Sequence, residues 1–171
     1  VRARGEDEAG ERRGPLQEKN AAGLSRSAFH QLRDEGRIGH VGLVESLRLL
    51  ARGLKWNLTR VEESLEPRMA ESDLSTDYVQ VEAGQVVGID HRATGYVEGT
   101  ERLDLRLEMH LGAEDPRDAI RIDGTPPVDL EIDGGIFGDT ATVGALTNAI
   151  PALGQVRPGL RTIDELPVPR A

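Results

Sequence analysis

Between residues 102 and 111 the chain alternates strictly. Leu103, Leu105, Leu107, Met109 and Leu111 are apolar, and Arg102, Asp104, Arg106, Glu108 and His110 are polar. A period of two puts each set on its own face of a β-strand, one buried and one wet. His110 is thereby expected on the solvated outer face. Upstream, Val87, Ile89, His91, Ala93 and Val97 also hold odd positions, with Gly99 between the two runs. Two antiparallel strands turn both odd sets to one core only if paired residue numbers add to an even total. A three-residue loop over Glu98–Thr100 meets that condition. It pairs 97 with 101 and 91 with 107, so His91 is expected inward beside Leu107. A two-residue Gly99-Thr100 turn would send one set into water.

Other segments carry helical spacing. Leu24-Ser25 followed by Ala28, Phe29 and Leu32 predicts a short helix capped by Ser25 and stopped at Gly36. Val41, Val44, Leu47, Leu50 and Leu54 form a stripe that predicts a longer helix over 41–54, begun by the glycine-flanked run Gly39-His40-Val41-Gly42. Residues 1–7 read as an edge strand. Residues 58–70 read as a strand that Pro67 confines to an edge or a bulge, with a polar loop over 71–78. Short strands are expected at 119–123 and 128–132. A glycine-rich turn then leads into a helix over 140–150, with Asp139 as its N-cap, and Pro151 closes it. Residues 152–171 read as an extended tail. Consecutive antiparallel strands with helices at both ends predict an α+β fold: a mainly antiparallel mixed sheet with helices packed on one face. The 171 residues read as a single domain.

Composition narrows the partners. The net charge is −9, and Arg12-Arg13 is the only adjacent basic pair. That argues against nucleic acid or an anionic membrane surface, both of which require concentrated positive charge. Cysteine is absent, which excludes disulfides and thiolate chemistry and fits a reducing, cytoplasmic setting. No apolar run approaches transmembrane length. The chain lacks an initiator Met and an N-terminal signal sequence, and reads as a segment of a longer or trimmed protein.

Two glycine-bounded helix starts are candidate anion sites, because first-turn N–H groups point outward there. The first comprises Gly39, His40 and Gly42, with His40 able to bind or protonate a ligand. Helix capping is the plainer role for His40. The second is the turn 133–139, with Asp139 and Thr140, which are more commonly capping residues. That turn lacks the Gly-Lys-Ser/Thr ending of a phosphate-binding loop, and Gly-x-Gly-x-x-Gly occurs nowhere. His91 is expected to be a core or pocket-lining residue and His30 to be solvated. Glu62, Glu63 and Glu66 are expected on a solvated strand face. No histidine or carboxylate spacing suggests a metal site. The residues alone supply no complete catalytic set.

Three stretches carry a resemblance. They are Arg12-Arg13-Gly14-Pro15-Leu16-Gln17 with Lys19 and Ala22-Gly23-Leu24-Ser25; Gly36 to Leu43 with Glu45-Ser46; and residues 134–169, with Gly138-Asp139-Thr140-Ala141-Thr142, Asn148-Ala149-Ile150-Pro151 and Arg157-Pro158-Gly159-Leu160. In order and spacing they resemble the C-terminal domain of 2,4-diaminopentanoate dehydrogenase and the native amine dehydrogenases, distant relatives of dihydrodipicolinate reductase. The resemblance implies a substrate-binding and dimerisation domain, joined in full-length members to an N-terminal Rossmann domain that this chain lacks. It implies NAD or NADP for the full-length protein and no cofactor bound by this chain alone. It also implies a catalytic carboxylate in the missing portion and a homodimer formed through the sheet. The substrate would be a small amine, amino acid or keto acid, with hydride passed to the nicotinamide. By position, Lys19 and the turn from Gly39 to Leu43 correspond to the lysine and carboxylate-binding helix start of the reductase, whose paired histidines and Lys-x-Asp-x-Pro-Ser-Gly pattern are absent here. A free-standing ligand-binding or assembly domain without enzymatic activity is the alternative.

Overall fold

The structure, a computed structural model, describes residues 1–9 and 20–167. The chain divides into two compact units, Val1–Gly135 and Ile136–Ala171.

The first unit is built on a sheet. Among the described residues its strands are β1 (Arg2–Glu8), β2 (Arg60–Met69), β5 (Val86–Val97), β6 (Thr100–His110), β7 (Arg117–Ile122) and β8 (Val128–Asp133), in the order β2-β5-β6-β1-β7-β8. Two short strands, β3 (Leu74–Ser75) and β4 (Gln80–Val81), pair separately within the expected polar loop. Helices α1 (Arg26–Asp34) and α2 (Leu43–Gly53) precede β2. The β1–β6 pair is parallel and the other pairs of the large sheet are antiparallel, so the α+β expectation holds. β1 is not the edge strand its polar sequence suggests. It lies inside the sheet between β6 and β7, where small Ala3 and Gly5 face inward and Arg4 and Glu6 meet charges on the other face. Pro67 sits on edge strand β2 beside a bulge at Arg68/Met69, as a residue without an N–H requires.

The body of the β5–β6 hairpin has the expected register, with His91 opposite Leu107 and Ala93 opposite Leu105. Its end differs. A two-residue turn, Glu98-Gly99, has positive φ at both residues (50° and 78°) and pairs Val97 with Thr100. That offset alone would turn one odd set outward. A bulge beyond Gly95/Tyr96 restores the parity by pairing Gly95 with Leu103. The carbonyl of the extra residue, Arg102, accepts the N-terminal ammonium of Val1 at 2.7 Å.

Ser25 caps α1 as expected, its Oγ accepting the Ala28 N–H at 3.2 Å, and Gly36 follows the helix at φ 67°. Phe29 of α1 packs with Ala21, Val86 and Ile89. Helix α2 starts two residues later than the stripe predicts. Its buried face is Leu43, Leu47 and Ala51, set against Ala93, Leu103 and Leu105. Val41 precedes the helix and is 89% exposed. Burying each leucine contributes about 1.5–3 kcal/mol.

The opposite sheet face is charged and only partly wet. Glu108 is 1% exposed, with Arg4 Nη2 at 2.5 Å, Arg68 Nη1 at 2.6 Å and Arg106 Nη2 at 3.4 Å from its carboxylate. Arg106 also grips Asp90 through Nε at 2.9 Å, and this bond holds the Asp90 carboxyl below its ordinary pKa. His110 is buried beneath this layer, not solvated. Its Nε2 lies 3.4 Å from Glu6 Oε1 and its Nδ1 3.2 Å from the Leu111 carbonyl.

The second unit contains α3 (Gly138–Ala149) and short 3₁₀ turns at Pro151–Gln155 and Ile163–Glu165. The N-cap of α3 is Phe137, and Asp139 stands in the first turn instead of capping. The second 3₁₀ turn closes with a reciprocal Thr162–Glu165 capping box.

Three substitutions test this structure in urea unfolding. Gly88 lies so close to β6 that an added Cβ would strike the Met109 carbonyl and the His110 backbone. Gly88→Ala should cost about 3 kcal/mol, and Glu108→Ala, which removes the carboxylate shared by Arg4, Arg68 and Arg106, about 2 kcal/mol. Arg121→Gln, which removes an exposed pair with Asp129, should change stability by less than about 0.5 kcal/mol.

Candidate functional site

The chain reverses twice between α1 and α2, and both reversals need glycine. Gly39 (φ 106°) and Gly42 (φ 121°) occupy backbone conformations that L side chains rarely adopt. Gly39 also lies against Leu65 of β2, whose Cδ2 methyl would have to shift to admit a Cβ. Gly42 is the N-cap of α2 and offers no side-chain acceptor, so the first-turn N–H groups have no cap oxygen. Glu45 stands in that first turn, where the helix dipole favours a carboxylate.

This corner forms one wall of a cavity of about 440 Å³. Gly39, His40 and Gly42, three of the residues picked out in the sequence, come together there. Leu65 and Glu63 of β2 and His91 of β5 form the opposing wall. Lys19 lies outside the described residues. Asp139 and Thr140 belong to the first turn of α3 in the second unit.

Two polar residues of this cavity fall outside the sequence-based site. Glu63 is not simply part of a solvated face. Leu65 pairs with His91 across the strands and Glu63 with Ala93, so Glu63 and His91 are diagonal neighbours on the helix-bearing face. His91 Nε2 and Glu63 Oε1 are 2.8 Å apart, a bond in which the imidazole N–H donates to the carboxylate. The only signal for it in the sequence is the odd numbering of Glu63, and that has meaning only once the β2–β5 register is known. His91 is 3% exposed, and its Nδ1 is buried with no hydrogen-bond partner among the described residues. A buried polar atom of this kind requires a partner. With Nε2–H committed to Glu63, neutral His91 offers Nδ1 as an acceptor, and protonated His91 offers it as a donor.

His40 stands at the mouth of the cavity. It is exposed by area, yet the protein atoms crowding its ring disfavour the charged form and lower its pKa below the ordinary 6.5. Charge on His91 lowers it further. The site therefore combines two imidazoles, the Glu63 and Glu45 carboxylates and helix-start N–H groups around a partly apolar space. It can bind a small molecule that carries an amine, a carboxylate or both. His30 is only half-buried and stacks edge-to-face on Phe29, with ring centroids 5.7 Å apart.

Comparison with known proteins agrees across sequence and fold. Residues 15–171 match the family of the 2,4-diaminopentanoate dehydrogenase C-terminal domain. The chain is similar to 2,4-diaminopentanoate dehydrogenase of Acetoanaerobium sticklandii, at 30% identity over 162 residues, covering 91% of this chain and 46% of that protein. The fold is similar to that of an amine dehydrogenase from Mycobacterium smegmatis, with a TM-score of 0.84 and 19% identity, covering 99% of this chain and 51% of the other. The chain thus spans about half the length of the relatives it matches. Among the described residues, no helix is long and apolar enough to cross a membrane.

Protonation at this site can be read by NMR. His40 should titrate below 6.5, and His91→Asn should move it part of the way back, since crowding is the larger cause and persists. The unfolded chain takes up the proton first. The His40 contribution to stability is therefore complete above pH 6.5 and is lost as pH falls from there through the lower folded-state value. A His40 titration at or above 6.5 would contradict the geometry.

Proposed function

Because this chain belongs to the family of the 2,4-diaminopentanoate dehydrogenase C-terminal domain, we propose that it forms the substrate-binding and dimerisation part of an NAD(P)-dependent amine or amino-acid dehydrogenase. The observation that carries this reading is the His91–Glu63 pair in the helix-start cavity, with the buried Nδ1 of His91 left for a ligand to satisfy. The substrate's amine would be held near the carboxylates, and any carboxylate on it near the N–H groups of the Gly42 helix start. His40 and His91 would complete the polar contacts. Asp139, Thr140 and Lys19 enter the proposal only through the family resemblance.

The residues of this chain do not fit a dinucleotide. A dinucleotide cradle uses a glycine-rich turn from a parallel strand into a helix. Among the described residues the single parallel pair, β1–β6, is not joined in that way, and the fingerprint is absent from the sequence. The nicotinamide cofactor would therefore be held by another portion of the whole protein, and no hydride step is assigned to residues of this chain. The protein is proposed to act on a small amine, amino acid or keto acid in the cytoplasm.

The charged sheet face is the proposed dimer seam. Its charges are already paired within one copy, including the two-bonded Arg92–Asp104 pair at 2.6 and 3.0 Å. A second copy can therefore meet it without burying isolated charge.

Two measurements test this reading. In the whole protein, His91→Ala and Glu63→Gln should raise KM for the amine substrate about tenfold or more, with a smaller effect on kcat, because they remove binding contacts. Unchanged KM in both would refute the site. Light scattering should find a dimer at about 0.1 M salt. A monomer at low salt would refute the seam.

A further inference from the structure

Helix α2 has a second cavity at its other end, with a volume of about 600 Å³. Arg48, Arg52 and Arg60 line it together with Trp56, Asn57 and Thr59. In a chain of net charge −9, three guanidinium groups line one hollow. Arg48 and Arg52 are one helical turn apart and share a face of α2. Arg48 is exposed and makes no ion pair or hydrogen bond among the described residues. Arg60 begins β2, and its guanidinium is braced 3.8 Å over the Tyr96 ring and paired with Glu62. Trp56 packs on the core beneath α2 while its indole remains partly exposed.

A helix C-terminus ordinarily repels anions through its free carbonyls. Here three of those carbonyls are occupied. Leu50, Ala51 and Arg52 accept backbone N–H groups from Leu54, Trp56 and Lys55 at 2.9, 2.8 and 3.0 Å. The cations therefore set the character of the hollow. Guanidinium forks match the paired oxygens of carboxylates and phosphates, and an indole face suits a flat or apolar moiety. An 11-residue helix separates this hollow from the helix-start cavity by about 16 Å at 1.5 Å per residue.

We infer that the hollow of Arg48, Arg52, Arg60 and Trp56 binds a small organic polyanion, phosphate- or carboxylate-bearing, at a site separate from the helix-start cavity. Trp56 is the only tryptophan, so its fluorescence reports on the site directly. Titration of this chain with pyrophosphate and with citrate, each against sodium chloride of equal ionic strength, should give a saturable change in Trp56 emission. Tighter pyrophosphate binding would identify a phosphate ligand, and tighter citrate binding a carboxylate one. The Arg48→Gln/Arg52→Gln double variant should weaken binding about tenfold or more, since it removes two charge-assisted contacts. His40→Ala, at the other cavity, should leave it unchanged. If the double variant loses its folded circular dichroism, Arg48→Gln alone carries the comparison, with at least about a threefold loss expected. The inference is overturned if neither anion gives a saturable response beyond the salt control, if the arginine variants bind as tightly as the parent chain, or if His40→Ala abolishes the response equally.

Discussion

The register of β5 against β6 is the constraint on which the rest of the first unit depends. Pairing His91 with Leu107 and Ala93 with Leu105 sends one set of side chains under the helices and the other to the charged face. A slip of one residue would exchange the two faces completely. His91 would leave the cavity, and Glu108 would be driven beneath α2. The bulge at Arg102 preserves this parity across a two-residue turn. Its displaced carbonyl is then used to hold the start of β1, so the irregularity also fixes the neighbouring parallel strand.

Given that register, the two faces follow different physics. The helix-bearing face is stabilised by apolar burial against α1 and α2, with His91 as its one buried imidazole. It tolerates that polar group because Glu63 satisfies one nitrogen, while the other has no hydrogen-bond partner among the described residues. The opposite face carries its charges in networks that cross strands. Asp90, Arg106, Glu108, Arg4 and Arg68 come from four strands. A buried carboxylate there is tolerable because several guanidinium groups surround it. Strand β1 can sit inside the sheet, despite its polar composition, because Arg4 and Glu6 enter this network.

Much of this was legible in the sequence, for local reasons. Alternation over 102–111 identifies a strand, parity fixes the body of its hairpin, Ser25 marks a helix start, and Pro67 marks an edge. What the sequence did not show depends on pairing between distant segments. The parallel place of β1 beside β6 has no local signature, since Arg2, Arg4 and Glu6 read as a wet edge until their partners are known. His110 reads as solvated because nothing nearby in sequence covers it. Arg4, Glu6 and Arg68 converge on its face only in three dimensions. The buried side of α2 shifted to Leu43, Leu47 and Ala51 because the helix begins only after Gly42, leaving Val41 outside. In the candidate site, the glycines and His40 were visible as a motif. The Glu63–His91 bond was not, because it requires the β2–β5 register.

The proposed small-molecule site turns on the unsatisfied Nδ1 of His91. A crystal structure of the whole protein with a bound amine or keto-acid substrate tests that most directly. The account predicts a substrate polar atom, or a single water bridging to one, within about 3.2 Å of His91 Nδ1, with the Glu63 bond retained. A substrate bound elsewhere, with the helix-start cavity filled only by solvent, would contradict it.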